Sequence, residues 1–266
     1  MTAQRLNAVD KALLLLKVFR LGERSITLAE LADRTGLNKS TILRAASSLE
    51  RANLLVKLPV GGFRLGGQVL ALAAIFREGI QLDREVRPLL AALADKTSES
   101  ASFFLLEGGN RFRVARVEAN QAVRDAASPL LLQSLKGDET ATGLVLRQKK
   151  GGRSVGKVTG VFAPIFTTGI KQVETASMSS PILGSGGTLI GALTLSGPAF
   201  RLTADVARGW ATAVARTAAT LSQVFGYDAS MPLVAVRPAA RAKRKAKRGT
   251  IARGRRVTRP EVSPTK

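Results

Sequence analysis

Thr27 to Ala52 reads TLAELADRTGLNKSTILRAASSLERA, and this stretch decides the fold of the N-terminal part of the chain. Thr27-Leu-Ala-Glu30 has the form of a capping box, in which the hydroxyl accepts a backbone N–H and the carboxylate answers it. A short helix over Thr27–Thr35 follows, with Leu28, Leu31 and Ala32 facing inward, and Gly36 ends it. After the tight Gly36-Leu37-Asn38 turn, Asn38 caps another helix that runs to about Ala52. Ile42, Ala46 and Leu49 recur at helical spacing and form its inner stripe. Lys39, Ser40, Thr41, Arg44, Ser47, Ser48 and Arg51 are left largely on the outer side.

Working outward, Asn7–Leu21 reads as an amphipathic helix capped by Asn7 and stopped by Gly22, with Val9, Leu13, Leu16 and Phe19 or Arg20 on its period. On the other side, Leu54–Leu58 and Phe63–Leu65 are short strands around a Pro59-Val-Gly-Gly62 turn. Three helices and a hairpin in this order make a winged helix-turn-helix, whose second helix of the pair fits the roughly 12 Å major groove of DNA. Lys39, Ser40, Thr41, Arg44 and Ser48 are donors that reach phosphates and base edges from such a helix, while Thr27 and Asn38 stand at the helix N-termini, where free N–H groups face a phosphate. Lys57 and Arg64 on the hairpin are placed for a neighbouring phosphate or the minor groove.

Composition narrows the chemistry. The chain of 266 residues has neither cysteine nor histidine, which removes disulfides, thiolates, imidazole metal ligands and histidine-based triads. No carboxylate pair has a spacing that argues for acid–base work, no glycine-rich segment has the spacing of a phosphate loop, and no cofactor is called for. The reading is not an enzyme. No apolar run reaches the roughly 18 residues of a membrane span, so the chain is read as soluble and cytoplasmic, with no membrane partner. The formal net charge is +22, and such an excess attracts polyanions. About half of it falls in the last thirty or so residues, where Arg241, Lys243, Arg244, Lys245, Lys247 and Arg248 crowd among alanine, glycine and proline. That composition cannot bury a core, and residues 229–266 are expected to form a disordered basic tail.

Between the hairpin and the tail, Gln68–Arg77 and Asp83–Thr97 read as helices, the second kinked or restarted at Pro88. Ala101–Leu106 and Phe112–Glu118 then read as strands around Gly108-Gly-Asn110, followed by strands over Gly160–Phe166, Thr175–Leu183 and Leu189–Ser196 and a helix over Ala204–Phe225. Runs of strands followed by helices give an α+β fold with an antiparallel sheet. Arg111, Arg113 and Arg116 on one of these strands, and Arg124 after it, read as a solvated strand face in preference to a site for an acidic ligand.

At this point the chain resembles a known family. Gly36-Leu-Asn-Lys-Ser-Thr-Ile-Leu-Arg44, Leu49-Glu50 and Gly62-Phe-Arg-Leu-Gly66 are similar to the DNA-binding domain of the IclR family of bacterial regulators, and Ala8-Val-Asp-Lys-Ala-Leu13 is similar to the start of its first helix. The resemblance continues through Arg87-Pro-Leu-Leu-Ala-Ala-Leu93, Arg116-Val-Glu118, Gly191-Ala-Leu-Thr-Leu-Ser-Gly-Pro198 and Arg201-Leu-Thr203, and covers roughly residues 5–226. It implies a DNA-binding domain at 1–66, a linker helix at 67–82 and a GAF-like effector-binding domain at 83–228. It further implies homodimers or homotetramers on inverted-repeat operators in double-stranded DNA, controlled by a small organic acid or aromatic effector. Thr140, Thr142, Ser177, Thr194 and Ser196 match positions that line the family's pocket; as residues, Thr194 and Ser196 read equally as polar positions on a strand. Three departures stand out. The family's His-Ala-Thr-Ala-like loop reads Asp138-Glu-Thr-Ala141, and Thr167 falls where an acidic residue is common. Only about 17 residues separate Gly143 from Val161, so a helix or two of the family pattern is expected to be missing. The charge distribution alone is equally compatible with an architectural nucleic-acid binder driven by the tail.

Overall fold

The computed structural model describes residues 6–125, 132–147, 153–154 (backbone only) and 161–229. The N-terminal helices are α1 (Ala8–Lys17), α2 (Leu28–Thr35) and α3 (Lys39–Arg51), followed by the hairpin β1 (Leu55–Lys57) and β2 (Phe63–Leu65). Each helix begins on a side-chain cap. Asn7 and Asp10 bond reciprocally, as do Thr27 and Glu30, and the Thr41 N–H donates to Asn38 Oδ1 at 2.9 Å. Gly36 adopts a left-handed conformation (φ 69°) and donates its N–H to the Ala32 carbonyl, which closes α2 without a Cβ penalty. Leu15, Ile26, Leu31, Ile42, Ala46, Leu49, Leu55 and Phe63 form one small core. Ile26 joins the wing as a third strand through two 2.8 Å bonds with Phe63. The Ile26 carbonyl would lie 2.8 Å from a Cβ at Gly62, so only glycine fits there.

Two expectations for α1 are corrected. The helix ends at Lys17, short of Leu21, and Val9 and Leu13 are exposed while Leu15 is fully buried. The unbroken run Ala12–Leu16 presents apolar groups on every side, so periodicity alone could not choose the inner face.

Helix α4 (Gly67–Gly79) buries none of its residues. A π-helical turn over Leu82–Val86 leads into α5 (Arg87–Thr97), which restarts with Pro88 in its first turn, where the missing N–H costs nothing. The remainder is one seven-stranded antiparallel sheet in the order β5-β4-β3-β9-β8-β7-β6. Its strands are β3 (Ser100–Glu107), β4 (Asn110–Val117), β5 (Leu132–Ser134), β6 (Arg153–Ser154), β7 (Ile165–Thr168), β8 (Thr175–Leu183) and β9 (Leu189–Pro198). The expected strand over Gly160–Phe166 is shifted: Val161 and Phe162 are in a turn, pairing runs over Ile165–Thr168, and residue 160 lies outside the described residues. Strands β5 and β6 and the six-residue helix α6 (Ala141–Leu146) were not expected. The expected tail lies outside the described residues from 230 onward.

Alternation along the strands gives the sheet two different faces. Ala101, Phe103 and Leu105 of β3, with Leu193 and Leu195 of β9 and Met178 and Ile182 of β8, pack against α5 and the long helix α7 (Ala204–Val224). Phe104, Leu106 and Ala192 point the other way, to a smaller core with Leu135, Val145 and Leu146. This second face, only partly covered by α6, carries the cavity described below.

Candidate functional site

Two constellations stand apart from the packed cores. The first is the outer side of α3. Its inner stripe, Ile42, Ala46 and Leu49, is buried, and Lys39, Ser40, Arg44, Ser47, Ser48 and Arg51 are exposed, with Thr41 half-buried. Lys57 and Arg64 are also exposed on the wing. Among the described residues, no carboxylate pairs with Lys39, Arg44, Lys57 or Arg64. Thr27 and Asn38 are exposed, but their oxygens are engaged in capping: Thr27 Oγ1 donates to Glu30 at 2.8 Å, and Asn38 Oδ1 accepts from Ser40 and Thr41. Arg51 donates to Ser47 and Ser48 along the same face. Behind it, Arg34 forms a bidentate pair with Glu23 at 2.8 Å and donates to the Val18 carbonyl, which fixes α2 against the end of α1. The Arg34 hydrogen bond holds the Glu23 carboxyl below its ordinary value. The result is a cationic helix face on which Lys39 and Arg44 have no carboxylate partner among the described residues.

The second is a cavity of about 430 Å³ on the open face of the sheet. Thr140, Thr142, Ser177, Thr194 and Ser196 all line it, brought together from α6, β8 and β9. They are linked by hydroxyl contacts: Thr142 to Thr194 at 2.8 Å, Ser179 to Thr194 at 2.9 Å, and Thr167 to Ser177 at 3.3 Å. Thr167 Oγ1 also accepts from the Ala141 N–H, so the start of α6 is tied to β7.

The reading of Arg111, Arg113 and Arg116 as a solvated face is overturned. All three line the cavity, and Arg111 is only 4% exposed. Arg111 lies 3.1 Å from Asp138, donates to Gln133 from two nitrogens, and donates to Thr140 Oγ1 at 3.2 Å. Arg116 is held by Asp125 at 2.8 Å, and Asp125 in turn accepts from Ser196. Burial pushes Arg111 and Arg113 below the ordinary guanidinium range, and it does the same to the Lys171 amine, aided by the nearby Arg111 charge. Arg124 does remain at the surface, paired with Glu118.

The departure at Asp138 has a local cause. Its carboxylate neutralises Arg111, a task a neutral histidine could not perform, while its Oδ1 accepts from the Thr140 N–H and hydroxyl. A Cβ at Gly143 would lie 2.3 Å from the Asp138 carbonyl oxygen, so glycine there is what lets Asp138 tuck under α6. Gln133 and Lys171, which meet at 2.6 Å in the same cluster, carried no sequence signal, since one sits on a three-residue strand and the other in a loop.

Comparison with known proteins accords with this geometry. Residues 8–59 match the family model of the IclR helix-turn-helix domain. The regulator KipR of Bacillus subtilis is 28% identical over 116 residues, 44% of this chain and 46% of KipR. TtgV of Pseudomonas putida is 26% identical over 166 residues, 61% of this chain and 62% of TtgV. The aligned part of the chain thus spans about half the length of the curated relatives it matches, and all of them are named as transcriptional regulators. Solved structures extend the likeness over the sheet domain. A regulator of the same family from Silicibacter sp. TM1040 superposes with a TM-score of 0.70 at 25% identity, covering 83% of this chain and 97% of that one. An IclR homologue from Microbacterium hydrocarbonoxydans, complexed with 4-hydroxybenzoate, has the same fold, with a TM-score of 0.61 at 17% identity over 82% of this chain and 99% of its own. From its capped helix pair to its seven-stranded sheet, the chain is similar to regulators of the IclR family, and residues 8–59 match that family's helix-turn-helix domain.

Proposed function

We propose that this protein is a sequence-specific transcription regulator that binds duplex DNA through α3 and the wing and responds to a small organic acid or aromatic effector in the sheet cavity. The observation that carries the reading is the exposed face of α3, where Lys39, Ser40, Arg44 and Ser48 stand on a doubly capped helix pair with no internal ionic partner. In this reading residues 1–66 bind DNA, 67–82 form the linker helix, 83–228 bind the effector, and 229–266 add non-specific phosphate contacts. Lys39 and the Asn38 end of α3 meet the backbone, Arg44 and Ser48 reach base edges, and Lys57 and Arg64 lie over adjacent phosphates. Thr27 acts by capping α2.

A homodimer or homotetramer places two such helices in successive major grooves, about 34 Å apart, on an inverted repeat. The unpartnered apolar groups of α4, Leu70, Leu72, Ile75 and Phe76, together with Val9 and Leu13 of α1, support association of copies. The hydroxyls of Thr140, Thr142, Ser177, Thr194 and Ser196 suit a carboxylate ligand, since they donate without adding fixed charge. The aromatic carboxylate held by a relative of the same fold supports the same choice. Control by that ligand requires that it bind one arrangement of the DNA-binding heads more tightly than the other. Selection of bound sequences from random DNA tests the reading: an inverted repeat is expected, and its absence would overturn it.

The charge distribution favours one other reading, an architectural binder driven by the basic tail. Deleting residues 237–266 separates the two. A regulator keeps its operator preference, whereas an architectural binder loses nearly all affinity.

Among the described residues, no helix is long and apolar enough to cross a membrane.

A further inference from the structure

We propose that the protein has a second small-molecule site, a cleft between α4 and the helix-covered side of the sheet, and that its occupant is a neutral aromatic compound. The site is separate from the sheet cavity and does not rest on the effector reading of that cavity.

The cleft has a volume of about 440 Å³ and is walled by five elements of one chain. Ala73 and Phe76 come from α4, Leu82 from the π-helical turn, Leu105 from β3, and Phe112 and Val114 from β4. Strand β4 is the wall it shares with the sheet cavity. In a regular strand Arg111, Arg113 and Ala115 would share one face and Arg116 would point to the other. Pairing with β3 breaks that alternation. Phe104 opposes Arg113 and Phe103 opposes Ala115, leaving Val114 without a partner. This bulge turns both Val114 and Ala115 to the helix-covered side, where they pack on the main core, and returns Arg116 to the sheet cavity. A second irregularity shapes the wall at Leu82. Gln81 is left-handed (φ 51°), and the π-helical turn after it buries Leu82. Bulges and π-helical turns recur at functional sites because they re-aim side chains.

The lining decides the class of ligand. These wall residues are apolar, and Phe76 and Phe112 bring one ring from the helix side and one from the sheet. The charged groups of α4 and α5 stand at the rim and are already engaged. Arg77 and Arg87 both pair with Asp83, at 2.7 and 2.9 Å, and all three are exposed. Among the described residues, the buried side-chain polar atoms without a hydrogen-bond partner belong to Arg116 and Asp138, in the sheet cavity. No such atom in the cleft calls for a polar or ionic partner. Helix α4 buries none of its residues, so Ala73 and Phe76 remain in contact with water. An aromatic skeleton laid against them removes that apolar surface from water, which is the driving force such a site offers. The volume lies in the lower part of the roughly 300–1,000 Å³ typical of small-molecule sites, enough for a molecule of one or two rings. In the reading of α4 as the linker helix, the occupant braces that helix against the sheet.

The test is calorimetric titration of the full chain with indole and with benzyl alcohol. We expect at least one of them to bind with a Kd below about 1 mM. Ala73→Phe fills the cleft from the helix side and Val114→Phe from the sheet side, and each should weaken binding by about ten-fold or more. Ser177→Phe fills the sheet cavity instead and should change binding by less than about two-fold. Ala73 is exposed on α4, so its substitution leaves both cores intact, and Trp210 fluorescence checks that each variant is folded. Binding that survives either filled variant, or that is lost in folded Ser177→Phe, puts the aromatic elsewhere and overturns the proposal. Failure of both probes to bind at millimolar concentration overturns it as well. Each of these failures leaves the effector reading of the sheet cavity standing.

Discussion

Asp138→Asn is the substitution whose cost the structure sets most directly. The Arg111 and Asp138 side chains are each about 5% exposed and lie 3.1 Å apart. Asparagine keeps the oxygen that accepts from the Thr140 N–H and hydroxyl at 3.1 and 2.7 Å, so the turn into α6 survives. What it loses is the charge facing Arg111, and the new amide N–H₂ points a donor at a donor. Breaking one side of a buried pair leaves the other charge uncompensated, which typically costs about 3–5 kcal/mol. At about 2–4 °C per kcal/mol for a domain of this size, the melting temperature should fall by roughly 6–20 °C. Arg111→Met should cost a similar amount by stranding Asp138. The double variant should cost clearly less than the sum, because a neutral pair has no charge to strand, and a coupling energy above about 1.5 kcal/mol is expected. The single tryptophan, Trp210, packs from α7 against the main core and reports unfolding of this domain by fluorescence. Single variants that cost under about 1 kcal/mol, or strictly additive costs, would refute the reasoning and mean that solvent reaches the pair.

Four further outcomes are expected. Arg44→Ala should relax preference at one operator position by about 1–3 kcal/mol, measured by competition between operator variants, whereas Lys57→Ala should weaken all sequences alike and lower the salt slope by about one. Thr27→Ala removes the capping box of α2 and should destabilise the N-terminal domain by about 1 kcal/mol in chemical denaturation, while Thr27→Ser should recover most of it. Gly197→Ala should cost about 3 kcal/mol or more. Its Cβ would stand 2.0 Å from Glu99 Oε2, and Glu99 is buried and clamped by Arg201 at 2.6 and 2.9 Å, so the methyl group must break that pair; a cost under 1 kcal/mol would show the clamp to be loose. Lys171 is held below the usual lysine range by burial and then by Arg111, so the folded chain releases that proton before the unfolded one does. Stability should therefore rise with pH between the lowered value and about 10.4, and Lys171→Met should abolish that part of the rise; identical pH profiles would place the amine in bulk solvent.

The comparison of sequence with structure divides along one physical line. The α2–α3 pair was fully legible, caps included, because Thr27, Glu30, Gly36 and Asn38 act within four residues of their partners and the Ile42–Ala46–Leu49 stripe repeats within one helix. The five hydroxyl residues of the cavity were legible only through family resemblance, since nothing local distinguishes Thr194 from any polar strand residue. Helix α6 was missed because all six of its residues are buried, which erases the periodic signal, and β5 is three residues long.

The sequence by itself determined the helix-turn-helix unit, because caps, turns and helical periodicity are short-range interactions written in contiguous residues. Only the tertiary structure decided the character of the cavity. The face on which Arg116 lies depends on an unpaired Val114, and that depends on which β3 residue each β4 residue meets. The partner of Arg111 comes from a turn 27 residues further along the chain. Strand register and buried ion pairing are settled by packing between elements, which the residue pattern of any single strand does not encode.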